Sequence, residues 1–136
     1  MVGIDLASNN CIMSVFGPSG PAVVPNAEGD TATPIAVAFA ESGEMVIGKA
    51  ALRQAIRNPD RVIVSFVRHL GTDWTVEVAS AAYDAQDLTR SFLEQLRKSA
   101  EASLAEPIGT VVAAVPARFD EATEVRVATR LSERRT

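Results

Sequence analysis

Cysteine and histidine are almost absent from this sequence, and their scarcity excludes several chemistries before any motif is considered. There is one cysteine, Cys11, and one histidine, His69. A lone thiol forms no internal disulfide and makes no cysteine-based metal site. A lone imidazole leaves a Ser-His-Asp triad or a multi-histidine metal centre without its parts. Cys11 lies in or next to a strand and reads as a small buried apolar residue, and His69 reads as structural. A basic excess is missing as well. The net charge is −4 with 22% charged residues, so there is no diffuse positive field of the kind that holds nucleic acid. No apolar run approaches the ~20 residues that span a bilayer, and no basic region followed by an apolar core and a cleavage site opens the chain. These absences predict a cytoplasmic protein with neither nucleic acid nor a membrane among its partners.

Apolar residues, by contrast, are plentiful: 47% of 136, enough for one domain that buries roughly two-thirds of its unfolded surface. In the opening stretch MVGIDLASNNCIMSVFG, Val2, Ile4 and Leu6 and then Ile12, Val15 and Phe16 flank a polar patch at residues 7–11. This predicts two strands joined by a tight hairpin. Asp5 then falls near the end of a buried strand, where a carboxylate needs a hydrogen-bond partner, a cation or a face open to solvent. A turn-capping Asp and a phosphate or metal site both fit that position.

Farther along, GPSGP at residues 17–21 marks a turn and AVVP at 22–25 a third strand, followed by a polar loop over 26–34. IAVAFA and EMVIG flank ESG as a second hairpin, with Glu41 and Glu44 facing solvent. Residues 49–56 form a short helix stopped by Asn58 and Pro59, and residues 62–67 are too short to type. From 85 to 105, Leu88, Phe92, Leu96, Ala100 and Leu104 recur every fourth residue beside Leu93, while Arg90, Glu94, Arg97, Lys98 and Glu101 take the opposite face. This predicts an amphipathic helix capped by Asp84 or Asp87 and ended by Pro107. TVVAAV at 110–115 has the unbroken apolar pattern of a parallel strand, and Asp120 is placed to cap a last helix through 133. Its arginines, Arg130, Arg134 and Arg135, read as a solvated helix end.

Several stretches together resemble the seventy-kilodalton heat-shock chaperones of the DnaK type, at the start of their ATPase domain. They are GIDL (residues 3–6), PNAEGD with the following Thr33 and Pro34, AVAF, VIGKAALRQAIRNP (46–59), LEQLRKSAEASLAEPI (93–108) and AVPARF (114–119). The resemblance implies an α/β, actin-like (ribonuclease-H-like) ATPase lobe, with three antiparallel strands, a crossover helix and a parallel strand in one mixed sheet. Residues 1–34 and 85–136 would form the core lobe. Residues 35–84 would form an inserted outer subdomain, shortened after Gly71, in which Trp74 packs.

The same resemblance implies ATP and Mg2+ as ligands. Asp5 would stand on the magnesium side, and Ser8, Asn9 and Asn10 in the phosphate-binding turn. Consecutive backbone amides at a tight turn form an anion-binding concavity. Ala7 replaces the family's Gly, which implies a positive φ costing roughly 1 kcal/mol. Ser8 and Asn9 replace a pair of threonines. The family's catalytic lysine aligns with Val67, which neither orients water nor stabilises phosphoryl charge; Arg68 beside it would point to the other face of a strand. In the family's switch, Pro116 is present but Glu124 stands at the arginine position, with Arg126 nearby.

Within the chain, which runs to Thr136, the family's second phosphate loop, adenosine-binding residues, peptide-binding domain and lid have no counterpart. The expectation is an incomplete, truncated nucleotide-binding domain with weak or no ATPase. Its alternatives are a nucleotide-independent interaction module, self-associating or pairing with a chaperone through an exposed sheet edge, and a degenerate relic.

Overall fold

The computed structural model describes residues 2–7, 9–78, 80–105, 108 and 111–114. The readings made at Ser8, Pro107, Thr110, Pro116, Asp120, Glu124, Arg126 and the arginines at 130, 134 and 135 lie outside those residues. In chain order the elements are β1 (Val2–Leu6), β2 (Asn10–Gly17), β3 (Gly20–Val24), β4 (Thr33–Pro34), β5 (Ala36–Phe39), β6 (Met45–Ile47), α1 (Lys49–Gln54), β7 (Val62–Val64), β8 (Thr75–Val78), β9 (Ala81–Asp84), α2 (Ala85–Leu104) and β10 (Val111–Ala114). Two 3-10 helices, Pro59–Arg61 and Phe66–His69, flank β7.

β1 is central to the main sheet, whose order is β10-β1-β2-β3 with β4 paired to β2. β2 runs antiparallel to β1 with Val2 opposite Val15 and Leu6 opposite Cys11. β10 runs parallel to β1 with Val2 opposite Val111 and Asp5 opposite Ala114. A parallel partner requires a crossover, and α2 lies in that connection. Side chains alternate across a strand, so Val2, Ile4 and Leu6 go into the core together with Cys11, Met13 and Val24. The opposite face holds Asp5 and leaves Ile12 and Val23 about half exposed, at 43% and 49%.

α2 covers the core with Leu88, Phe92, Leu93, Leu96 and Ala100, all buried. Burying one side chain such as Phe92 stabilises by roughly 1.5–3 kcal/mol, and its ring meets Phe66 edge-on at 5.9 Å. Both predicted caps operate at the start of this helix. The Asp84 carboxylate accepts from the Asp87 amide at 2.7 Å, and the Asp87 carboxylate accepts from the Asp84 amide at 3.2 Å, a reciprocal box that satisfies two backbone donors.

The smaller sheet, β6-β5-β7, lies between two layers. Val37 and Ile63 belong to the main core, whereas Ala36 and Ala38 meet Ala51 of α1. Methyl side chains on both sides let helix and sheet backbones approach closely. Phe39 stacks on Tyr83 at 4.9 Å and ties this sheet to the β8–β9 hairpin.

Three expectations need correction. Residues 26–34 are not all loop, because Thr33 and Pro34 pair with Cys11 and Asn10. Residues 62–67 divide into β7 and the 3-10 helix Phe66–His69, so Val67 is not on a strand. The stretch after Gly71, to which the sequence assigned no element, contains the paired strands β8 and β9, with Ser80 at φ 68° between them. Glu94 does not lie on a solvent face: it is buried and hydrogen-bonded to Arg97, which also meets Glu101 at 3.1 Å. A wide apolar stripe on α2 leaves these charges at its margin, where pairing offsets their desolvation.

Gly48, the residue before α1, has φ 68°, and a Cβ there would lie 2.9 Å from Thr33 Cγ2. Gly48→Ala is therefore expected to lose about 1–2 kcal/mol or more through left-handed strain alone, read as a lower urea midpoint with an unchanged slope.

Candidate functional site

The pleat of β1 decides where its carboxylate goes. Since Ile4 and Leu6 face inward, Asp5 faces outward: it is exposed, and among the described residues it has no hydrogen-bond or ion-pair partner. Of the three outcomes considered for this carboxylate, a partner, a cation or a face open to solvent, the last is the one observed.

Directly after β1 the chain reverses. The Ala7 amide donates to the Asn10 carbonyl at 3.0 Å and closes the turn. Asn10 begins β2, so the turn is narrower than the polar patch suggested. Among the described residues the non-glycine positions with positive φ are Ser65, Ser80 and Ala105. Ala7 is not one of them, and the expected strain at that residue is absent. A hairpin so closed tolerates Ala where the family has Gly.

Asn9, exposed at the tip, is held from two distant segments. Its carbonyl accepts from the Ile35 amide at 2.8 Å, and its Oδ1 accepts from the Ser65 hydroxyl at 2.8 Å. Ser65 stands between β7 and the 3-10 helix with φ 52° and ψ 30°, and its amide donates to the Ile35 carbonyl at 3.0 Å. Sequence reasoning missed Ser65. Nothing in a single serine announces a left-handed conformation, and its partner lies 56 residues away.

Two further positions were expected at this site. Val67, aligned with the family's lysine, is fully buried in the main core, while Arg68 is exposed. The two side chains diverge as expected, but on a 3-10 turn rather than a strand. Cys11, opposite Leu6, is buried as expected; burial, and secondarily the negative charge of Asp5, pushes its thiol up to about 12. A thiol so shifted stays protonated near neutral pH and is a poor nucleophile.

Elsewhere, His69 lies flat against Trp74 with ring centroids 4.4 Å apart, in keeping with structural roles for both. The PNAEGD loop is organised by Asn26, whose Oδ1 accepts from the amides of Glu28 and Asp30 and whose Nδ2 donates to Thr33 Oγ1, each at 3.0 Å. Ion pairs Lys49–Asp30 at 3.0 Å and Arg53–Glu28 at 3.2 Å tie that loop to α1; exposed pairs of this kind contribute about 0–1 kcal/mol. Among the described residues no group of three or more His, Cys, Asp or Glu side chains could hold a metal ion. A divalent ion bound mainly through a phosphate and water needs only one or two carboxylates, and Asp5 fits that requirement. No helix among the described residues is long and apolar enough to cross a membrane.

Two outcomes follow from the buried positions. Cys11 in the native chain should resist alkylation at mildly alkaline pH, with labelling tracking global unfolding; fast labelling under native conditions would contradict its burial. Val67→Lys should lower stability by several kcal/mol, because an ammonium is forced into an apolar core; denaturant unfolding measures it.

Compared with known protein families, the sequence model described as "Hsp70 protein" matches residues 1–81. That span is more than half of the chain and contains Asp5, the turn, Ser65 and Val67.

Proposed function

Because the chain belongs to the Hsp70 family, we propose that it is part of a chaperone nucleotide-binding domain whose β1–β2 turn receives the phosphates of ATP. The observation that carries this reading is the exposed, partnerless Asp5 immediately ahead of a closed turn. The turn's backbone amides and the Asn9 and Asn10 side chains would receive phosphate oxygens, with Ser8 in the same segment, and Asp5 would face the water shell of Mg2+. The bound metal nucleotide would supply the phosphoryl group whose state the family couples to protein folding.

The architecture supports an actin-like lobe. β1, β2 and β3 run antiparallel in sequence, α2 crosses over, and β10 returns parallel beside β1. In this reading residues 1–34 and 85–136 make the core lobe and residues 35–84 the inserted subdomain, with Pro116 as the proposed switch residue. Hydrolysis is proposed to be weak or absent. Phosphoryl transfer depends almost wholly on positioning and charge, and the position expected to bring a lysine brings a buried valine.

Thermal unfolding with and without magnesium and millimolar ATP tests the reading. A ligand that binds only the folded state stabilises it by about 2.7 kcal/mol at a hundredfold excess over its dissociation constant. An upward shift of the midpoint that Asp5→Ala abolishes is expected. A cooperative transition indifferent to ATP would refute nucleotide binding.

A second reading, a nucleotide-independent module, is favoured by one feature. Among the described residues β10 pairs with β1 on one side and with no strand on the other, and an unpaired strand edge is a template for another chain. Under this reading the partner is a second copy or a full-length chaperone joined through that edge. Light scattering at micromolar concentration should show self-association; a monodisperse monomer would count against pairing between copies.

A further inference from the structure

The hydrogen bonds around Asn9 form a closed circuit. Ile35 donates to the Asn9 carbonyl at 2.8 Å, Ser65 donates through its amide to the Ile35 carbonyl at 3.0 Å, and the Ser65 hydroxyl returns to Asn9 Oδ1 at 2.8 Å. Three segments far apart in sequence meet at one residue. Ser65 sits in the left-handed region at φ 52°, a conformation that costs a non-glycine residue about 1–2 kcal/mol. Such a residue persists only where its surroundings hold it there.

The orientation of a carboxamide decides what it offers an anion. Its terminal torsion is broad, so a free Asn presents either its carbonyl oxygen, which repels phosphate, or its NH2, which donates to it. In this chain the Ser65 hydroxyl occupies Oδ1. Asn9 Nδ2 remains on an exposed side chain, with no partner among the described residues.

We infer that Ser65 is a positioning residue, whose hydroxyl locks the Asn9 carboxamide with Oδ1 toward the protein and Nδ2 toward an incoming phosphate. The inference deepens the nucleotide reading above and rests on it. It also gives Asn9 a means of replacing a hydroxyl donor: a longer side chain becomes a directed donor when a second residue fixes its rotation. Ser65 has no contact with phosphate in this arrangement and acts only through Asn9.

Ser65→Gly separates this role from stability, since glycine takes the left-handed conformation without penalty while the hydroxymethyl group that carries the hydroxyl is lost. The experiment uses the 15N-labelled chain and its Ser65→Gly variant, with Mg2+ and ATP as probe, and follows the Asn9 side-chain NH2 resonances. In the unsubstituted chain these should be ordered and should shift on titration. In the variant they should become mobile, and affinity should fall about threefold or more, the scale of one lost hydrogen bond, with the unfolding midpoint held or raised. An Asn9 NH2 equally ordered in both chains, or ATP binding with equal affinity in both, overturns the inference and leaves the nucleotide reading standing. No response to ATP in either chain overturns the nucleotide reading, and the inference with it.

Discussion

The pairing of β1 on both sides is the constraint on which the other elements depend. Held between β2 and β10, β1 has no freedom to slip. A shift of one residue would turn Val2, Ile4 and Leu6 to solvent and drive Asp5 into the core. The buried face of β1 therefore fixes where its carboxylate points. It also fixes where the turn after Leu6 emerges, and it sets the floor on which α2 lies.

From that floor the site is assembled by distant segments rather than by local sequence. The turn between β1 and β2 is closed by its own backbone, but its tip is held by the entry to β5 and by the exit of β7. The smaller sheet thus does more than complete the core. Its Val37 and Ile63 share the main core, and Ile35 and Ser65 at its ends hydrogen-bond to Asn9. A turn of two or three polar residues has little stability of its own, so its geometry must be imposed from outside.

The same packing explains why position 67 is occupied by an apolar side chain. Val67 is among the most deeply buried side chains, on a turn that α2 covers. A lysine there would have to find a route out of the core, and a valine completes it. At that position the residue satisfies packing. Cys11 shows a related effect on the inward side of the hairpin, where burial keeps a potential nucleophile protonated.

Elements with a repeating pattern could be read without the structure. The fourfold recurrence from Leu88 to Leu104 specified α2, the alternation from Val2 to Phe16 specified the first hairpin, and the unbroken run of valine and alanine specified a parallel strand. The cap at Asp84 and Asp87 was legible because capping is local chemistry. Elements shorter than one period were not: Thr33 and Pro34 become a strand only because β2 offers them an edge, and Phe66–His69 becomes a 3-10 turn only because α2 receives Phe66 and Val67. The burial of Glu94 escaped a helix-face argument because a wide apolar stripe consumes its own margin. Asp5 was legible as a candidate from residue type and its place at a strand end, but the direction of its side chain was decided by which face of the sheet became the core. Ser65 could not be found at all, since its conformation and its partner exist only once chain segments 56 residues apart have met. The sequence by itself determined the periodic elements, the local caps and the family, because these depend on near neighbours and residue identity. Tertiary structure alone decided the exposure of Asp5, the burial of Val67 and the circuit around Asn9, because each is a contact between segments that no local preference encodes.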